Sequence, residues 1–325
     1  MTGSFRAGLL AALAALVLPA GIPATARDTT ATGVQLITLG TAGGSAVRLR
    51  RAEPASVILV NGAAYLIDVG DGTSHALYAA GIKLEQVRAL FITLHSQDRT
   101  SGLGPLLSTR WATSNKAPLT VYAPAGLNAI LGGLRATLGP VAAYSAGGSG
   151  KPLSNLGAQE VTAPGLVYQD ENVKVTALAL PRRGVTTGTP TAFAYRFETA
   201  EGAIVFAGPT GPFDGLADFA RGAKLLVCEV INLDAASGKA PQSRTSAGPA
   251  PIRPRLDHLE ADDIGRLAAA ANVGRVVLHH LIPGADSEDA RTSERLYARD
   301  ARTAYHGIVL IAHDGETFRL TTANH

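Results

Sequence analysis

Only one cysteine, one methionine and one tryptophan occur among the 325 residues, and aromatic residues make up 5% of the chain. The lone thiol, Cys228, excludes an internal disulfide and a cysteine-based zinc site. It stands in the apolar run Leu225-Leu226-Val227-Cys228-Glu229-Val230 and reads as a small buried side chain. Charge is also scarce, at 17% of residues, with a net balance of +3. No block of lysine and arginine stands out, so no nucleic-acid partner is indicated. Beyond the N-terminus no apolar run approaches the roughly 20 residues that a spanning helix needs.

What is present begins with an export signal. Met1 to Arg6 carries one positive charge, Ala7 to Leu18 is apolar, Pro19 to Pro23 breaks the run, and Ala24-Thr25-Ala26 is a small-residue cleavage pattern. The expectation is a signal peptide over residues 1–26 and a mature protein free of the membrane, in the periplasm or outside the cell. The remaining length suits one α/β domain with a sizeable core, placed at residues 33–321.

Hydrophobic patterning predicts strands at Val34–Leu39, Ala55–Val60, Ala63–Val69, Val87–Thr93 and Leu119–Tyr122 in the first half. In the second half it predicts strands at Val173–Leu180, Ala192–Phe197, Ala203–Phe206, Lys224–Val230 and Arg275–His279. Asn61-Gly62 is a strong hairpin signal, and a last hairpin is predicted from Gly307–Ile311 and Thr317–Leu320 around Asp314-Gly315. Helices are predicted at Thr73–Ala80, Ala125–Leu138, Leu216–Gly222, Glu260–Ala271 and Ser287–Ala304. Asp234–Arg255, rich in Pro, Ser and Gly, reads as a long surface loop and a candidate contact surface for a partner. Strands in both halves with helices between them fit two mixed sheets packed face to face with helices outside.

The stretch that organises the rest is Phe91-Ile92-Thr93-Leu94-His95-Ser96-Gln97-Asp98-Arg99-Thr100-Ser101-Gly102-Leu103-Gly104. An apolar strand runs into a polar loop and a glycine-marked turn, the kind of place where a rigid sheet presents functional groups. It resembles the metal-binding signature of the metallo-β-lactamase superfamily, Thr-His-x-His-x-Asp-His. Leu66-Ile67-Asp68-Val69-Gly70 resembles that family's second-strand signature, whose Asp is structural. Ala203-Ile204-Val205-Phe206-Ala207-Gly208-Pro209-Thr210-Gly211 resembles its Phe-Ser-Gly-Asp-Thr-Gly turn. His258 to Gly284 resembles a histidine-marked helix start followed by a strand and His-Leu-x-Pro. The likeness is greatest to the branch with ribonuclease Z-like and phosphodiesterase- or arylsulfatase-like members.

The resemblance implies a four-layer αββα sandwich and metal-assisted hydrolysis. It also implies ligand positions, and here Asp98 and His280 match while Leu94, Ser96, Arg99, Pro209 and Arg182 or Arg183 replace the others. Leucine and proline have no donor, serine is a poor zinc ligand, and a permanently charged guanidinium repels a dication. The leading expectation is therefore a catalytically silent or weakened protein with no metal cofactor. The alternative is a hydrolase of phosphodiester or sulfate-ester bonds with one zinc or other divalent ion on a remodelled site of His95, Asp98, His258 and His280. In either reading Asp98 and His258 are the candidate catalytic groups; otherwise Asp98 caps a loop and His258 is a polar residue before a helix. Arg99, Arg182 and Arg183 are candidate ligands for a small anion, their competing role being to pair with Asp98, Asp68 or Asp71 and fill the vacant site. His279 and His280 are strand neighbours, so only His280 is expected to reach the site. A homodimer is left open.

Overall fold

A computed structural model describes residues 33–44, 48–113, 117–144, 153–181, 191–233, 258–282 and 289–321. Residues 1–26, expected to be a signal peptide, Arg182 and Arg183, and the stretch Asp234–Arg255, expected to be a loop, lie outside the described residues.

The first sheet is built from β1 (Val34–Gly40), β2 (Ala55–Val60), β3 (Ala63–Ile67), β4 (Val87–Phe91), β5 (Leu119–Pro124), β6 (Leu156–Val161) and β14 (Glu316–Arg319). Their order is β14-β1-β2-β3-β4-β5-β6. The second contains β7 (Gly165–Gln169), β8 (Lys174–Ala179), β9 (Phe193–Thr199), β10 (Gly202–Phe206), β11 (Leu225–Ile231), β12 (Arg275–Ile282) and β13 (Ile308–Ile311). Their order is β13-β12-β11-β10-β9-β8-β7.

Helices α1 (Thr73–Ala79), α2 (Gln97–Thr100), α3 (Leu103–Ala112) and α4 (Leu127–Tyr144) belong to the first half. Helices α5 (Asp214–Ala220), α6 (Ala261–Ala270) and α7 (Asp289–Ala301) belong to the second. One apolar cluster, including Tyr65, Phe91, Tyr195, Phe197, Phe206 and Val227, fills the space between the sheets. A second cluster joins Leu77, Leu106 and Leu131 of the helices to the outer face of the first sheet, and a third joins Leu216, Ile264 and Tyr297 to the second. This is the four-layer αββα sandwich. Central strands such as β1, β2, β3 and β11 are buried at every residue because both faces of their sheet are covered.

The β2–β3 hairpin turns through Asn61 at φ 50° and Gly62 at φ 81°, the left-handed pair that a two-residue turn requires. The expected last hairpin does not form. β13 pairs in parallel with β12 in the second sheet, and β14 pairs antiparallel with β1 in the first. Asp314-Gly315 does turn the chain, with Gly315 at φ 75°, but it carries it from one sheet to the other. Thr38 holds that turn, its hydroxyl donating to His313 O at 2.7 Å and its carbonyl accepting from Gly315 N at 2.6 Å.

At the β7–β8 turn, Asp170 accepts from the Tyr65 hydroxyl at 2.6 Å, the Tyr168 hydroxyl at 2.7 Å, and the Asn172 and Val173 amides at 2.9 Å each. Burial works to raise its pKa, but the two tyrosines and two amides outweigh it and hold the carboxyl below its usual range. A depressed folded pKa contributes stability above the unfolded value, near 4, and that stability is lost as pH falls through the folded value. Asp170→Asn is therefore expected to cost about 1–2 kcal/mol at pH 7, given partial solvent screening. Denaturant titrations should show the deficit shrinking as pH falls below about 4.

Candidate functional site

Parallel β3 and β4 of the first sheet end beside parallel β11 and β12 of the second, so four strand ends converge at one edge of the sandwich. Directly after β3, Asp68 takes the left-handed conformation at φ 55°, and its amide donates to Phe91 O at 2.8 Å. The chain after β4 then folds into α2 and α3. Val69 N donates to Arg99 O at 2.9 Å and Gly102 N to Val69 O at 3.0 Å. Backbones touch here: a Cβ on Gly102 would lie 2.1 Å from Gly70 O, so only glycine fits. Glu53 fastens the same loops by accepting from Asp71 N at 2.8 Å, from Gln97 Nε2 at 2.9 Å and from the Ser101 hydroxyl.

His280 enters through a bulge. Glu229 faces His279 across the β11–β12 ladder and Val230 faces Leu281, leaving His280 as the extra residue, at φ 48°. The bulge, not simple strand alternation, turns His280 into the site, and the two rings stay neighbours with centroids 6.5 Å apart. His279 packs its ring against Phe206, centroids 6.4 Å apart, and burial lowers its pKa to about 3. His280 turns into the converging strand ends.

The centre of the site is the Arg99 guanidinium, with only 3% of its side chain exposed. Nη1 lies 3.2 Å from Asp68 Oδ2 and 3.3 Å from Thr93 Oγ1. Nη2 lies 2.5 Å from Glu229 Oε1, an ion pair off the hydrogen-bonding axis, and 3.2 Å from His280 Nε2. Asp68 is fixed by Thr93, whose amide donates to Oδ1 and whose hydroxyl donates to Oδ2, each at 2.8 Å. Asp98 accepts from His280 Nε2 at 2.9 Å and from the Ser96 hydroxyl at 2.6 Å. His258 Nδ1 stands 3.7 Å from Glu229 Oε2 at the more exposed rim.

Three carboxylates thus surround one permanent cation. Burial disfavours the Arg99 charge, yet Glu229, Asp68 and Asp98 more than compensate and push its pKa up. Burial likewise opposes ionisation of Glu229 and Asp98. For Glu229 the Arg99 charge, His280 and His258 together outweigh burial, and for Asp98 the His280 bond, Arg99 and the Ser96 bond together do, so both are held well below the usual carboxylate range. Asp68 moves the other way. Its burial, helped by the Glu229 charge, exceeds what Arg99 and Thr93 return. The cluster is ionised where Arg99 touches Glu229 and is least anionic at Asp68.

These residues do not fit the metal pair that the resemblance implies. Arg99 brings a guanidinium into the middle of the site, Ser96 uses its hydroxyl on Asp98, and Leu94 packs against the outer apolar cluster of the second sheet. His95 does not join the group expected of a remodelled site. Its Nε2 donates to Pro124 O at 2.9 Å, and the preceding Leu94 bridges to Ala192. Asp98, His280 and His258 are brought together, the first two in direct contact. Among the described residues, three His, Cys, Asp or Glu donors lie within 4.8 Å of one another only at Glu260, Asp262 and Asp263, at the start of α6. Sequence reasoning passed over Glu229. The available signal was a lone carboxylate inside an otherwise apolar strand, which is rarely buried without a partner.

Comparison with known proteins agrees with this architecture. A family model described as anti-Pycsar protein Apyc1 matches residues 34–141. A ribonuclease Z of Mycobacterium sp. strain KMS is 31% identical over 257 residues, covering 77% of this chain and 85% of the relative. The metallo-β-lactamase fold protein YhfI of Bacillus subtilis superposes with a TM-score of 0.63 at 18% identity, over 88% of this chain and 98% of that one. Zn2+-bound PqqB of Methylobacterium extorquens shares the fold at a TM-score of 0.56 and 16% identity, over 87% and 99% of the two chains. With a relative of that identity matched along most of both chains and the same sandwich in place, the chain belongs to the ribonuclease Z family of the metallo-β-lactamase superfamily.

Proposed function

We propose that this chain is an exported member of the family that has kept the hydrolase scaffold and lost metal-dependent hydrolysis. The observation that carries the reading is the Arg99 guanidinium, buried between Asp68 and Glu229 where the signature has a histidine. A cation fixed there by two carboxylates opposes a second, divalent one. The alternative, one metal on a remodelled site, needs His95 beside Asp98, and His95 is bonded to Pro124 O instead. The same geometry favours an internal counter-ion over an anion receptor at Arg99: both of its terminal nitrogens face carboxylates and little of it meets solvent. Export is supported by the Arg6, apolar-run and Ala24-Thr25-Ala26 pattern. No helix among the described residues is long and apolar enough to cross a membrane.

The test is a turnover screen of the purified mature protein, with and without zinc and manganese, on phosphodiester, sulfate-ester and carboxylic-ester substrates. The expected result is no hydrolysis above the protein-free rate under any metal condition. Turnover that depends on added metal and stops on chelation would restore the hydrolase reading.

A further inference from the structure

We propose that Arg99 is a tethered occupant of a cation site: Asp68, Glu229, Asp98 and His280 form a preorganised receptor for one planar guanidinium. This rests on the reading that no metal serves the site, and it goes further by assigning the class of cation that the receptor selects.

The receptor is assembled from both sheets. Asp68 follows β3, Glu229 lies in β11 and His280 in the bulge of β12, whereas Arg99 itself comes from α2. Two of its three carboxylates are held by groups other than the occupant. Asp68 is clamped by the Thr93 amide and hydroxyl, and Asp98 by the Ser96 hydroxyl and His280. The acceptors also diverge in a way that suits a fork. Nη1 takes Asp68 and Thr93 Oγ1, while Nη2 takes Glu229 and sits beside His280. A compact ammonium also has three donors, but all on one nitrogen, so it cannot reproduce the two separate donor nitrogens that meet Asp68 and Glu229 here. Side-chain exposures of 4% at Asp68, 3% at Glu229 and 8% at Asp98 leave these carboxylates little contact with bulk solvent to screen them. With the guanidinium removed, the carboxylates would repel one another in a poorly solvated space of its own shape.

Chemical rescue tests this. Arg99→Ala is expected to lower Tm by roughly 6–12 °C. Low-millimolar methylguanidinium should recover much of that loss saturably, with one site per chain by calorimetry. Tetramethylammonium and urea at equal concentration should not, and the wild-type chain should not respond. Arg99→Lys should fall between wild type and Arg99→Ala. If Arg99→Ala fails to fold, refolding it with and without methylguanidinium gives the same readout on an intact receptor, folding being recovered by methylguanidinium and not by tetramethylammonium. Unchanged stability in Arg99→Ala, or a folded variant that does not bind methylguanidinium, overturns the inference. Stoichiometric metal in the wild-type protein would instead overturn the metal-free reading beneath it, so the two failures are distinguishable.

Discussion

Replacing Glu229 with leucine should cost about 3–5 kcal/mol of unfolding free energy, the range for breaking a buried ion pair from one side. The loss is electrostatic more than steric. Glu229 is the anion nearest Arg99 and the one that draws the second sheet to the first through it. Without it, Arg99 keeps Asp68 at 3.2 Å, and His258 loses the carboxylate 3.7 Å away. The companion variant Arg99→Met should also be severely destabilised. The pair together should cost less than the sum by about 1.5–3 kcal/mol, because each single change strands a charge that the double change removes. Additive losses in denaturant titrations would mean that the two residues act separately, contrary to the geometry.

The second large effect is a gain. Leu94→His, Ser96→His, Arg99→His and Pro209→Asp together restore the signature around the retained Asp98 and His280. The combined variant should bind zinc at one or more equivalents per chain, where the parent is expected to hold only traces. Arg99→His alone should not suffice, since it leaves Leu94 and Pro209 without donors. Elemental analysis after zinc reconstitution and desalting reads this directly. A combined variant that folds yet stays zinc-free would show that the strand ends no longer converge as the family site requires.

Much of the fold could be read in the chain because its central strands are apolar on both faces and its turns carry their own chemistry, as at Asn61-Gly62. The misses have physical reasons. β6 and β7, with sequences LGAQEV and GLVYQ, are half-exposed edge strands and show neither a continuous apolar run nor clean alternation. Helix α3 begins Leu103-Gly104-Pro105, which resembles a turn, although proline is tolerated in a first helical turn. The Asp314-Gly315 turn is real, but a local turn signal does not say whether the strands beside it share a sheet.

The site was half legible. Asp98, Arg99 and His280 stand out once the signature is laid over the chain, and pairing of Arg99 with Asp68 was among the open alternatives. What no spacing rule gives is the bulge that turns His280 inward, or Glu229 arriving from the opposite sheet. Both depend on contacts between residues far apart in sequence. His95 shows the converse. It neighbours the signature, but its direction is set by the Pro124 carbonyl on the adjacent strand.

The most direct measurement is the metal content of the purified wild-type protein, reconstituted with zinc or manganese and then desalted. A buried guanidinium in the ligand position should leave only traces of either metal, with Tm unmoved by chelator. One or more equivalents of tightly held metal, together with a fall in Tm on chelation, would contradict the account at its centre.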